Sequence, residues 1–351
     1  MKKTRIAILF GGKSAEHEVS IQSAKNVFEA LDKDKYDVEL VGISKKGEWH
    51  RLTAAAFIRL ANAPSLPPFT LKPHSAPLVP SLSVGIDIVF PVLHGPNGED
   101  GSVQGMLKIL NVPFVGSDVL GSAIGMDKDV AKRLLRDAGL PIARFLVLKS
   151  GMRDSVSFSE LTEEFGLPFF VKPANLGSSV GVAKVANEKQ YKAALAGAFS
   201  YDTKILIEEC IVGRELECSV LGNDIPIAST VGEIIVKSDF YSYDAKYVDE
   251  KSARMQIPAI ISDELEKKIK DYAVQVFEIL CCNGMGRVDF FLTKEGNIYI
   301  NEINTIPGFT NISMYPALWE ASGLTYGELV DRLVQLALER YHQRQLLRSS
   351  V

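Results

Sequence analysis

Apolar and polar positions along the chain alternate between a strand-like run and a helical spacing, and the order in which they do so sketches the fold. Arg5 to Phe10 reads as a buried strand, Gly11-Gly12 as a turn, and Glu16 to Leu31 as a helix, before a second strand at Val38 to Ile43. This is a β-turn-α-β opening. A Pro- and Ser-rich stretch from Ala61 to Ser83 reads as a surface connection. Ile86 to Val92 is then an inner strand, Val103 to Leu110 a helix and Pro113 to Val115 extended, so a first α/β domain closes near Gly116.

Lys128 to Ala138 has helical spacing and is stopped by Gly139-Leu140-Pro141. Strands are predicted at Phe145 to Leu148, Phe169 to Lys172, Val180 to Val185 and Lys204 to Glu208, with a helix at Glu188 to Ala198, which makes a small α+β unit. From Gly213 onward the pattern gives strands at Glu215 to Leu221 and Ile225 to Val231 and a polar aromatic segment at Ser238 to Arg254. A long helix at Asp263 to Cys281 follows, then two runs, Arg287 to Leu292 and Asn297 to Ile303, around the turn Lys294-Glu295-Gly296-Asn297. The closing helix, Thr325 to Arg344, places Leu329, Leu333 and Leu336 on a packing face. The expected division is 1–117, 118–209 and 210–351, with a lid at 236–256.

Composition narrows the class. The 351 residues are 46% hydrophobic with a net charge of -4, enough for several cores and too acidic to favour a nucleic-acid surface. No apolar run approaches the ~20 residues of a membrane span, and the N-terminus lacks a signal-peptide profile, so a cytoplasmic protein is expected. Cys210, Cys218, Cys281 and Cys282 have no CxxC spacing and are expected to be buried thiols.

The C-terminal hairpin carries the strongest chemical signal. Asp289, Glu302 and Asn304 would converge on one face, giving two carboxylates and an amide to a hard divalent cation such as Mg²⁺, which completes its shell with water and phosphate. Acidic strand ends followed by an Asx turn are the plainer alternative. The loop after Lys172, Gly177-Ser178-Ser179-Val180-Gly181, offers an anion-binding nest, although it lacks the Walker A ending and an ordinary turn has the same composition. Glu208 and Glu209 end a strand that could read adenine and ribose, or they are solvated acids at a hinge. His94 to Ser102 follows an inner strand, where open α/β sheets bind ligands, though Asp100 or Ser102 could simply cap the next helix. Near the N-terminus, Glu16 and Glu18 would repel phosphate and favour an ammonium. Phe240 to Tyr247 reads as a water-excluding lid or as a surface aromatic hairpin.

Taken together and in order, these motifs resemble the D-alanine-D-alanine ligases of the ATP-grasp superfamily, over Arg5 to about Leu336. The likeness rests on Ser14 to Ser20 after Gly11-Gly12, His94-Gly95 with Gly98 to Gly101, Gly125 to Lys128, Val171 to Pro173, Gly177 to Gly181, Tyr243 to Tyr247, Arg287 to Asp289 and Asn301 to Gly308. The resemblance implies an α/β (α+β), three-domain ATP-grasp fold with a Rossmann-like N-terminal domain. Lys128, Lys172, Glu208, Glu209, Ile211, Glu215 and Lys246 would hold ATP, with Gly177, Ser178 and Ser179 over its phosphates. Two Mg²⁺ or Mn²⁺ ions would be bound by Asp289, Glu302 and Asn304.

The chemistry so implied forms an acyl phosphate from one D-alanine, which the amine of a second then attacks to give D-alanyl-D-alanine for peptidoglycan. Glu16 would take the first ammonium and form a hydrogen-bonded set with Ser178 and Tyr247. His94 would lie beside the first substrate. Arg287 and backbone near Gly308 would hold the oxyanion, and Ser313 with Met314 the second carboxylate. The family commonly has leucine where Met314 stands. A homodimer is expected from the same source. Competing readings are a depsipeptide (D-alanine-D-lactate) or other carboxylate-amine ligase, a nucleotide-binding protein without turnover, and a nicotinamide dehydrogenase. The last lacks the GxGxxG spacing at Gly11-Gly12-Lys13-Ser14.

Overall fold

A computed structural model describes residues 2–63, 84–153, 155–236 and 253–348. Its described strands form three sheets. The first contains β1 (Thr4–Gly11), β2 (Tyr36–Ile43), β3 (Trp49–Leu52) and β4 (Ile88–Val92), in the order β3-β2-β1-β4. β1 runs parallel to both β2 and β4. Its side chains are buried on both faces: Ile6, Ile8 and Phe10 enter one core, while Ala7 and Leu9 enter another. That is why the run reads as continuously apolar rather than alternating. α1 (His17–Ala30), α2 (Ala54–Ala61) and α3 (Ser102–Ile109) complete this region.

α4 (Val119–Met126) and α5 (Lys128–Asp137) lead to the second sheet. α5 starts cleanly because the Asp127 carboxylate accepts from the N–H groups of Asp129 and Val130 at 3.1 and 3.2 Å. The second sheet contains β5 (Phe145–Lys149), β6 (Phe169–Pro173), β7 (Ala183–Val185) and β8 (Lys204–Glu209), ordered β5-β8-β6-β7 and covered by α6 (Phe158–Phe165) and α7 (Glu188–Phe199). The third has β9 (Arg214–Gly222), β10 (Ile227–Val236), β11 (Ala253–Gln256), β12 (Gly284–Leu292) and β13 (Ile298–Asn304), ordered β11-β10-β9-β12-β13. α8 (Asp263–Ile279) packs on its core face, and α9 (Met314–Ala321) and α10 (Tyr326–Gln345) end the described chain.

The cores cross the expected divisions of the chain. Ala131 and Leu135 of α5 pack with Leu216, Val288 and Ile300 of the third sheet. Leu329, Leu333 and Leu336 of α10 share a core with Ile6, Ile8 and Phe10 of the first. The closing helix thus ties the C-terminal region to the N-terminal sheet.

Several local expectations need correction. The strand expected at Val180 to Val185 is reduced to β7, because Ser178, Ser179 and Gly181 all have positive φ (52°, 58° and 71°) and turn the backbone out of the sheet. The strand expected at Ile225 to Val231 runs instead from Ile227 to Val236. β3, α2, α4, α6 and α9 had no counterpart in the sequence reading. Lys246, Tyr247 and all of the expected lid except its ends lie outside the described residues. Those ends are Val236, in β10, and 253–256, which is β11; the two strands pair antiparallel.

Candidate active site

A cleft of about 420 Å³ opens between the second and third sheets, within the ~300–1,000 Å³ typical of sites for small organic ligands. Every described residue expected to hold nucleotide lines it except Ser178. Its two walls differ in charge.

On the wall made by the second sheet, antiparallel pairing sets Lys172 on β6 beside Leu206 on β8, two residues before Glu208. The Glu208 carboxylate forms ion pairs with both Lys172 and Lys132, and all three side chains are buried. Burial pushes the Glu208 carboxyl up, but the two lysine charges outweigh it and hold it below its ordinary value. Lys132 was not foreseen. Its signal was its place four residues after Lys128 on α5, which puts both ammoniums on one helix face. Lys128 donates to the Leu176 carbonyl at 2.6 Å and lies 3.2 Å from Glu302, so it reaches from the glycine-serine loop to the opposite wall. The Glu209 carboxylate is committed to Arg144, accepting from its backbone N–H and Nε at 2.7 Å each.

The loop itself, 177–181, carries left-handed residues at Ser178, Ser179 and Gly181, and Val180 N–H closes a turn on the Gly177 carbonyl at 3.1 Å. Ser178 Oγ donates to Glu16 Oε1, joining this loop to the residue that caps α1 in the N-terminal region. Glu18, considered with Glu16 as an ammonium site, instead pairs with Lys45 at 2.5 Å.

The wall made by the third sheet is acidic. Along β9, Leu216 and Cys218 enter the core, so alternation turns Glu215 and Glu217 to the other face. β12 aligns Asp289 with Glu217 on one side and with Glu302 of β13 on the other. Asn304 Nδ2 donates to Asp289 Oδ2 at 3.1 Å, so register brings the three expected metal ligands together. Arg287 grips both Asp289 oxygens, at 2.8 Å from Nε and 2.9 Å from Nη2, and its Nε is also 2.7 Å from Glu217. Glu217 was not foreseen, although its alternation with Glu215 was visible. Among the described residues, no group of three or more His, Cys, Asp or Glu is placed to hold a metal; the expected set has only two carboxylates and an amide.

Beyond the cleft, the buried His94 ring is engaged at both nitrogens. Nδ1 is 3.0 Å from the Ile306 carbonyl and so carries the proton, while Nε2 is 3.3 Å from Ser23 Oγ and accepts from it. Ser23 Oγ in turn accepts from Phe309 N–H at 3.0 Å. Burial lowers the His94 pKa and keeps the ring neutral. These bonds make His94 a tie between the N-terminal loop and residues 306–309. Nearby, Glu99 accepts from Gly95 N–H at 2.7 Å, and its carboxyl is pushed up to about 8 by burial and by Glu16.

Gly308 passes close to Ser313, since a Cβ at 308 would lie 2.7 Å from Ser313 Oγ. Ser313 Oγ also accepts from Thr310 N–H at 2.9 Å. Met314, expected beside Ser313 at the second carboxylate, directs its side chain into the core. Its side chain packs against Ile234 and Leu318 and over Gly232, so only its backbone is left to meet a ligand. All four cysteines are free thiols; Cys281 is exposed and Cys210 partly so, against the expectation that all would be buried.

A mixed α/β chain whose central and C-terminal sheets close on one cleft, a basic wall facing an acidic one, has the ATP-grasp fold. Family models for the N-terminus and C-terminus of D-ala D-ala ligase match residues 5–117 and 134–335. The D-alanine–D-alanine ligase of Shouchella clausii is 51% identical, over 100% of this chain and 99% of its own. D-alanine–D-alanine ligase A of Escherichia coli K12 is 53% identical, over 100% of both chains. Among solved structures, the D-Ala:D-Ser ligase VanG of Enterococcus faecalis superposes with a TM-score of 0.83 at 38% identity, covering 96% of this chain and all of that one. The D-alanine-D-alanine ligase of Coxiella burnetii gives 0.81 at 37% identity, covering 98% and 97%. The chain belongs to the D-alanine–D-alanine ligase family. Among the described residues, no helix is long and apolar enough to cross a membrane.

Proposed function

We propose that this protein joins two D-alanine molecules into D-alanyl-D-alanine with ATP as the energy source, supplying a peptidoglycan precursor. The observation that carries the reading is the single cleft in which Lys128 and Lys172 face the carboxylates of Glu302 and Glu215. Full-length relatives above 50% identity bear the D-alanine–D-alanine ligase name.

ATP would lie between the two walls, with backbone at Glu209 to Ile211 toward the base, Glu215 toward the ribose and Lys128 and Lys172 on the phosphates. Lys246 and Tyr247 join the proposal on sequence alone. Glu16 would take the first ammonium, with Ser178 fixing its carboxylate and His94 fixing the backbone behind it. The first D-alanine carboxylate attacks the γ-phosphate, the bond from the γ-phosphorus to the β–γ bridging oxygen breaks, and an acyl phosphate and ADP result. The second amine then attacks the acyl carbon and phosphate leaves, while Arg287 and backbone near Gly308 steady the oxyanion. Ser313 Oγ and the Met314 N–H, at the start of α9, suit the second carboxylate.

Asp289, Glu302 and the Asn304 amide oxygen are hard donors, and two of the site's own cations, Arg287 and Lys128, already lie against those carboxylates; this donor set fits Mg²⁺ or Mn²⁺. Such ions neutralise phosphate charge when bound. The divisions 1–117, 118–209 and 210–351, a homodimer and a cytoplasmic location belong to the same reading.

Coupled ADP release with D-alanine, L-alanine, D-serine and D-lactate offered in turn, with mass analysis of the product, tests the proposal. Turnover with D-alanine and a dipeptide product are expected; absence of ADP formation with D-alanine and Mg²⁺ would sink it. Glu302→Gln should lower turnover by about 10²- to 10³-fold, as loss of a major electrostatic contributor does.

A further inference from the structure

Arg287 is asked to do something that its contacts in this structure oppose. Its guanidinium covers both oxygens of Asp289, the carboxylate proposed to serve a divalent cation. A cation needs the same lone pairs, so Arg287 has to release them without leaving the site. The means to do so lies one strand away. Glu217, 8% exposed, sits directly across from Asp289 in the β9–β12 register, with a carboxylate oxygen 2.7 Å from Arg287 Nε. Each strand is anchored by core neighbours, Cys218 beside Glu217 and Val288 beside Asp289, both fully buried, so the spacing of the two carboxylates is set by the sheet.

We propose that Glu217 is a positioning residue that retains Arg287 when Asp289 turns to its metal ion, so that one guanidinium stays available to the reacting carbonyl instead of competing for the metal site. The inference rests on the ligase reading. Glu217 touches neither substrate nor metal in it and acts only through Arg287. A carboxylate so enclosed is effective because the pair sits in a medium of lower dielectric than water. Removing its charge shifts the hold on Arg287 toward Asp289, which makes the arginine a competitor of the metal.

The test is a double-mutant cycle of Glu217→Gln and Arg287→Gln, read in two ways. The first is Mn²⁺ binding in the presence of ADP, followed by the loss of the free-ion electron paramagnetic resonance signal, which needs no turnover. Glu217→Gln should weaken Mn²⁺ binding about five-fold in the wild-type background and less than about two-fold in the Arg287→Gln background, the mark of coupled residues. The second is kcat, which should fall about ten-fold in Glu217→Gln with little change in the KM for ATP, and fall no further when Glu217→Gln is added to Arg287→Gln. Glu217→Asp, which keeps the charge, should recover most of the Mn²⁺ affinity and keeps the question open to measurement if the glutamine variant folds poorly. Equal weakening of Mn²⁺ binding in both backgrounds would overturn the proposal, because it would show Glu217 attracting the ion directly. A kcat unchanged in Glu217→Gln would overturn it too. Failure of the ligase reading would appear separately, as a wild-type protein that makes no ADP from ATP and D-alanine.

Discussion

Two glutamates, the buried Glu208 in the central sheet and the half-buried Glu99 in the N-terminal loop, have pKa values that move in opposite directions. Glu208 meets two ammoniums, Lys132 and Lys172, and is held below its ordinary value in spite of burial. Glu99 meets a backbone N–H and a second carboxylate, Glu16, and is pushed up to about 8. Burial disfavours the charged form in both cases, so the neighbours decide the outcome. The difference separates the ends of the site. The Glu208 end is built around fixed positive charge, suited to phosphate. The Glu99 end concentrates acid, suited to receiving an ammonium.

The largest effect should come from breaking the Glu208 arrangement. Glu208→Gln leaves Lys132 and Lys172 enclosed together without their shared carboxylate, a loss expected to cost about 3–5 kcal/mol in denaturant unfolding. Lys132→Met makes the comparison sharper. It removes one of two cations from one anion and leaves the Lys172–Glu208 pair intact, and burial has already lowered the Lys132 pKa. Its cost should be the smaller of the two. If Lys132→Met destabilised as much as Glu208→Gln, the carboxylate would not be the keystone of this wall. The sign with pH is also set: a depressed carboxyl stabilises above its ordinary value of 4.5 and loses that contribution as pH falls through its folded pKa.

Much of this was legible in the chain, for reasons that differ by residue. β1 announced itself because it is buried on both faces, and the Asp289–Glu302–Asn304 set because it lies on two adjacent strands joined by a short turn. Lys172 and Glu208 were found by their places at strand ends, and Lys128 through the family resemblance alone. Lys132 and Glu217 were missed, because their significance depends on partners far away in sequence, Glu208 and Arg287 respectively. α6 was missed although Ser157 and Glu160 form a capping box whose S-x-x-E spacing was present. α9 hides a proline, Pro316, in its first turn, where a proline is compatible with a helix but reads as a breaker. The direction of the Met314 side chain depends on the absence of a side chain at Gly232 on β10, far away in sequence, which no local pattern encodes.

Glu99 tests the other side of the comparison, through the dependence of stability on pH. A carboxyl raised above its ordinary 4.5 to about 8 in the folded protein binds a proton there that the unfolded chain has already released. Its contribution to stability is complete below 4.5 and is lost progressively as pH rises toward 8. One such group gives a slope of at most about 1.4 kcal/mol per pH unit. Glu99→Gln keeps an acceptor oxygen for the Gly95 N–H and cannot ionise, so it should flatten that part of the profile. Thermal melts of both proteins across pH 5 to 8 should therefore diverge, wild type losing Tm relative to the variant as pH rises. Parallel melting curves would mean that Glu99 is ionised throughout, and that Glu16 with the neighbouring loop tolerates a second negative charge. In that case the acid-rich end would not depend on a neutral partner, and the contrast with Glu208 would reduce to a difference in degree.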